Sequence, residues 1–156
     1  MKIAAFDTSS KALTLAILED ETLLAQMTLN IKKNHSITLM PAIDFLMNSL
    51  DMKPTDLDRI VVAQGPGSYT GLRMAVATAK TLAHTLKIEL VGVSSLLALV
   101  PEQAEGLVIP VMDARRNNVY AGFYQSGQAV RPEAHLPLAE VLEIADAANQ
   151  PVTFAG

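Results

Sequence analysis

Gly65-Pro66-Gly67-Ser68-Tyr69-Thr70-Gly71-Leu72-Arg73 is the stretch of this chain best suited to chemistry. Glycine lets another group come close to the backbone. Ser68 and Thr70 bring hydroxyls that can cap a helix or donate to an anion. Where a strand hands over to a helix, the first free N–H groups and the helix dipole favour negative charge. Such a site would suit a phosphate. The spacing nevertheless departs from both common phosphate motifs. Gly65, Gly67 and Gly71 do not form G-x-G-x-x-G. Arg73 stands two residues after the last glycine, where a P-loop has lysine directly after it. A tight turn with nothing bound is the other reading, because Gly-Pro-Gly is ordinary turn chemistry.

Two aspartates could add a second kind of chemistry. Asp7 ends the apolar run Ile3-Ala4-Ala5-Phe6 and is followed by Thr8 and Ser9, and Asp113 ends the run from Leu107 to Met112. Carboxylates so placed could hold a hydrated Mg2+ beside phosphates. Aspartate also favours turns and bonds to its own backbone, which gives these residues a purely structural alternative. The histidines, His35, His84 and His135, show no metal-ligand spacing, so no metal site is expected. No G-x-S-x-G marks a serine as a nucleophile, and no catalytic residue is assigned.

The elements that must hold these residues follow from hydrophobic period. Ile3 to Phe6, Leu13 to Leu18 and Leu23 to Leu29 read as a three-strand meander with the acidic turn Glu19-Asp20-Glu21. A helix is predicted from a Ser36 cap to about Met52, with Leu39, Ile43, Leu46 and Leu50 as its core stripe and Pro41 near its start. Ile60-Val61-Val62-Ala63 is a buried strand leading into the glycine loop. Thr70 to Leu86 is a second helix, with Leu72, Val76, Ala79, Ala83 and Leu86 on its inner face. Leu90 to Val93 is a strand, and Ser94 or Ser95 caps a short helix before Pro101.

The order of an apolar strand, an aspartate, a polar basic turn and a strand then recurs at Leu107 to Tyr124. Two related lobes are expected, one over 1–103 and the start of another over 104–156, with Asp7 and Asp113 facing a cleft between them. Leu138 to Ala148 reads as a helix and Val152-Thr153-Phe154-Ala155 as a strand. The second lobe would then be incomplete, and the chain a shortened form of a longer protein.

Composition bounds the rest. The chain has 156 residues, half of them apolar, with 18% charged and a net charge of -4. A packed core is expected, and nucleic-acid contact through bulk charge is not. No cysteine is present, which excludes disulfides and thiolate metal sites. No signal peptide or apolar run of membrane length is seen, so a cytoplasmic protein is expected.

The first helix carries more apolar surface than one core face needs. Ile37, Met40, Phe45 and Met47 extend around it beyond the core stripe. The second is rich in small residues, Ala75, Ala77, Ala79 and Ala83, which permit close helix approach. A helical dimer surface and a deeply buried helix pair both satisfy this periodicity.

Taken together, Ala5-Phe6-Asp7-Thr8-Ser9, Asn34-His35-Ser36, the loop from Gly65 to Arg73, Asp113-Ala114-Arg115-Arg116 and Val119-Tyr120-Ala121-Gly122 resemble the bacterial TsaB (YeaZ) family. The resemblance spans nearly the whole chain. It implies an α/β, actin-like ATPase (ASKHA, ribonuclease H-like) fold with two related lobes. It also implies a non-catalytic role in making the threonylcarbamoyl modification on the adenosine beside the anticodon of certain tRNAs. The implied partners are the catalytic paralogue TsaD and the ATPase TsaE. The chain alone would be a homodimer, tRNA would be met only through the complex, and no cofactor would be required. Pairing would run through the two long helices. On that basis Met40, Ile43, Met47, Arg73, Met74, Ala77, Lys80 and Thr81 are the expected interface. Asp7, Thr8, Ser9, Gly65, Gly67, Ser68, Thr70, Gly71 and Asp113 are the expected remnant of a nucleotide or anion site. Two rivals remain: an ATP-dependent phosphotransferase of the same fold, with Asp7, Thr8 and Ser9 at the phosphates, and a metallopeptidase. The missing histidine pair argues against the last.

Overall fold

The computed structural model describes residues 1–30 and 35–156, with the backbone alone at His35 and Ser36. It divides into two compact units, Met1–Val93 and Ser94–Gly156.

In the first unit, period-two alternation builds a five-stranded sheet. Strands β1 (Lys2–Asp7), β2 (Ala12–Glu19) and β3 (Thr22–Asn30) form an antiparallel meander. The turn from β2 to β3 is Asp20-Glu21, with Asp20 in the left-handed region at φ 53. Helix α1 (His35–Asn48) follows, then β4 (Arg59–Ala63), α2 (Tyr69–Leu86) and β5 (Glu89–Val93). β4 lies parallel to β1 and β5 parallel to β4, giving the order β3-β2-β1-β4-β5. Alternate residues Ala4 and Phe6, Leu13, Leu15 and Ile17, and Ile60 and Val62 face the core. α1 covers them with Leu39, Ala42, Ile43, Leu46 and Met47. It ends at Asn48, short of the predicted Met52. Asp51 turns left-handed at φ 53, and the Met52 N–H folds back to the Met47 carbonyl at 3.0 Å. The predicted Asn34 start lies outside the described residues, and Ser36 lies within the helix rather than capping it.

The inner face of α2 differs from prediction by one residue of phase. Gly71, Ala75, Ala79 and Ala83 are buried, while Leu72, Val76 and Leu86 are half-buried on its flanks. Small residues at every fourth position let this helix lie close to the sheet. Larger side chains would hold it off.

The second unit repeats the meander. β6 (Leu107–Asp113), β7 (Asn118–Gln125) and β8 (Gln128–Pro137) are antiparallel neighbours. Helix α3 (Leu138–Asp146) then leads to β9 (Val152–Ala155), parallel to β6. The order β8-β7-β6-β9 matches β3-β2-β1-β4 strand for strand. Leu107, Ile109, Val119, Ala121, Phe123 and Val141 form its core. The helix expected after β5 is a single 3-10 turn, Leu97–Leu99. Ser94 Oγ accepts from the N–H groups of Leu96 at 3.1 Å and Leu97 at 3.4 Å, so Ser94 rather than Ser95 caps it. No helix among the described residues is long and apolar enough to cross a membrane.

Candidate functional site

The loop after β1 and the glycine loop before α2 are built against each other. Thr8 is fully buried, and its Oγ1 donates to the Gly71 carbonyl at 2.7 Å. The Ser68 N–H donates to the Ser9 carbonyl at 2.6 Å. Ser68 Oγ caps α2 by accepting from the Gly71 N–H at 3.3 Å. Gly65 and Gly67 take φ values of +116 and +151, conformations that favour glycine. A Cβ on Gly67 would collide with the Ser9 carbonyl oxygen, and one on Gly71 with that of Thr8. The close approach these glycines permit is therefore taken by the chain's own Thr8 and Ser9. Ser68 and Thr70 are exposed beside this junction. Ser9 Oγ is buried with no hydrogen-bond partner, an atom that costs about 1–3 kcal/mol if nothing meets it.

The two aspartates occupy equivalent places. Asp7 Oδ1 accepts from the Ser9 N–H at 2.6 Å, and Asp113 Oδ1 accepts from the Arg115 N–H at 2.8 Å. Each closes the same two-residue turn at the end of a first strand. The turn-forming use of both carboxylates is visible. Among the described residues no group of three or more His, Cys, Asp or Glu side chains is placed to hold a metal ion.

The two long helices present the other candidate surface. Ile43 and Met47, expected at an interface, are only 4% and 2% exposed and belong to the core of the first unit. At 100° per residue they fall on the same side as Leu39 and Leu46. Met74 is half-buried against that core. Met40 is 47% exposed, and Arg73, Ala77, Lys80 and Thr81 all stand on the outer face of α2. Ile37 and Phe45 are 72% and 62% exposed and join Met40 on the outer face of α1. Tyr69 was missed as a surface residue. It is exposed at the start of α2, with the Arg73 guanidinium 5.3 Å from its ring centre. An aromatic four residues before an arginine in a helix was the available signal.

In the second unit Glu133 gathers two hydroxyls. Ser94 Oγ donates to its Oε1 at 2.5 Å, and Tyr124 Oη donates to the same oxygen. Burial, with the Glu133 hydrogen bond added, pushes the Tyr124 phenol up to about 12.

The chain matches the family of TsaD, tRNA N6-adenosine threonylcarbamoyltransferase, over residues 22–154. It is 46% identical to the tRNA threonylcarbamoyladenosine biosynthesis protein TsaB of Bacillus subtilis, covering 100% of this chain and 71% of that protein. Against the TsaB of Escherichia coli the identity is 29%, covering 80% of this chain but 55% of the relative. Its structure is similar to YeaZ from Pseudomonas aeruginosa, with a TM-score of 0.80 and 31% identity over 87% of this chain and 67% of that one. The activator of 2-hydroxyisocaproyl-CoA dehydratase from Clostridium difficile shares the fold at a TM-score of 0.55 and 16% identity, over 92% of this chain and 53% of that one. These likenesses and the strand order above are those of the actin-like ATPase fold.

Proposed function

The chain belongs to the TsaB (YeaZ) family of tRNA threonylcarbamoyladenosine biosynthesis proteins, and from that premise we propose that it is a non-catalytic subunit that docks the catalytic TsaD protein through α1 and α2. One observation carries the proposal: α1 is apolar on both sides. Its inner face holds Leu39, Ala42, Ile43, Leu46 and Met47, and its outer face holds Ile37, Met40 and Phe45. A helix apolar all round belongs inside a larger body. Covering a side chain of this size contributes about 1.5–3 kcal/mol. The carboxylates of Asp7 and Asp113 are already bonded to their own turns, which supports a subunit without its own chemistry. TsaE would join this pair, and tRNA would be met through the assembly. Met40→Glu with Phe45→Glu should abolish co-elution with TsaD while leaving the thermal transition in place. Normal co-elution of that variant overturns the proposal.

A second reading rests on Ser9 Oγ. Its unpartnered hydroxyl, next to Asp7 and Thr8, fits a phosphate or its magnesium ion, as a phosphotransferase would need. Gly67 and Gly71 fit such a ligand less well, because Thr8 and Ser9 already lie against them. Calorimetry with ATP and Mg2+ tests this, and micromolar binding to the lone chain would favour it.

A further inference from the structure

The outer face of α2 is cationic and contains no carboxylate. Between Tyr69 and Leu86 the helix has Arg73 and Lys80 and neither Asp nor Glu. At 3.6 residues per turn Arg73, Lys80 and His84 fall within roughly 40° of one another, so they form one line along the exposed side. The ion pairs among the described residues are Met1 with Asp20 and Arg59 with Glu89, and neither involves this line. Arg73 meets only the Tyr69 ring and hydroxyl. α1 contributes one carboxylate, Asp44, whose Oδ2 already accepts from the Asn48 side-chain amide at 3.1 Å.

We propose that the partner covering α1 and α2 presents carboxylates to the Arg73–Lys80 line, and that this line makes a second copy of the chain the weaker occupant. The inference rests on the docking reading above and names the chemistry of that partner. A twofold pairing uses the same patch on both copies. It brings two cations from each side to a surface with one partly engaged carboxylate from each side. Like charges held together without counter-charges oppose association, whereas an acidic partner supplies those counter-charges.

The test measures two associations of the full chain, with itself and with TsaD from the same organism, at about 50 mM and about 500 mM NaCl, where charge screening differs strongly. Self-association should stay absent or tighten as salt rises, and should tighten in Arg73→Gln/Lys80→Gln. TsaD binding should weaken under both changes, by roughly two- to fivefold for each cation removed. Both positions are exposed, so folding is expected to be intact, and a thermal melt verifies it. Self-association that weakens with salt or in the Gln variant overturns the inference. So does tight TsaD binding indifferent to salt and to the Gln variant, a result that leaves the docking reading standing. Full TsaD binding by the Met40→Glu/Phe45→Glu variant sinks the docking reading itself.

Discussion

Gly71→Ala places one methyl group where the structure leaves no room. The new Cβ would meet the Thr8 carbonyl oxygen, a backbone atom that cannot swing aside. Overpacking of this kind costs about 1–3 kcal/mol. Moving the helix away would also break the buried bond from Thr8 Oγ1 to the Gly71 carbonyl, worth about 1 kcal/mol. Alanine's higher helix propensity returns up to about 1 kcal/mol. The balance is a loss of about 1–3 kcal/mol. With a urea dependence of about 1–2 kcal/mol per molar, the unfolding midpoint should fall by roughly 1–2 M. The assay is urea unfolding followed by circular dichroism, with Ala77→Gly on the exposed face of α2 as a gauge of propensity alone. A Gly71→Ala protein as stable as the parent, or more so, would show that propensity dominates and that the contact with Thr8 is loose.

Two further substitutions test the same packing logic elsewhere. Met47→Ala should cost about 2–5 kcal/mol by calorimetry, because its side chain is enclosed. Met40→Ala should cost under about 1 kcal/mol and be felt in partner binding instead. For Tyr124, the folded chain holds the phenolic proton up to about 12, whereas an unfolded one releases it near about 10. That contribution is complete below about pH 10 and is lost as pH rises towards 12. Urea midpoints at pH 8 and pH 11 should therefore drop more for the parent than for Tyr124→Phe.

Most strands could be read from the sequence because their alternation is strong. Ile3 to Phe6, Leu13 to Leu18 and Ile60 to Ala63 each bury every second residue, and the recurrence at Leu107 foretold the matching meander. β8 escaped notice because nearly all of Gln128–Pro137 is exposed and Pro132 interrupts it. An edge strand of this kind has no buried face to set an alternation. α2 was placed one residue out of phase because bulk was taken as the mark of burial. There, closeness to the sheet selects Gly71, Ala75, Ala79 and Ala83 instead. On α1 the apolar excess was visible, but periodicity could not assign Met47 to the inside and Phe45 to the outside. The glycine loop was recognised as a place of close approach. Its occupant, the chain's own Thr8 and Ser9, lies some sixty residues away in sequence and leaves no local trace.

That long-range clasp ties two distant parts of the first unit into one lever. α2 is fastened at its root by Thr8 and Ser9 and runs about 27 Å from there, carrying Arg73 and Lys80 along its length. A disturbance at the loop after β1 has little slack in which to dissipate, because the first turn of the helix must follow it. Whatever grips or releases that loop would tilt the cationic line as a unit, and a partner seated there would feel the change at its own surface.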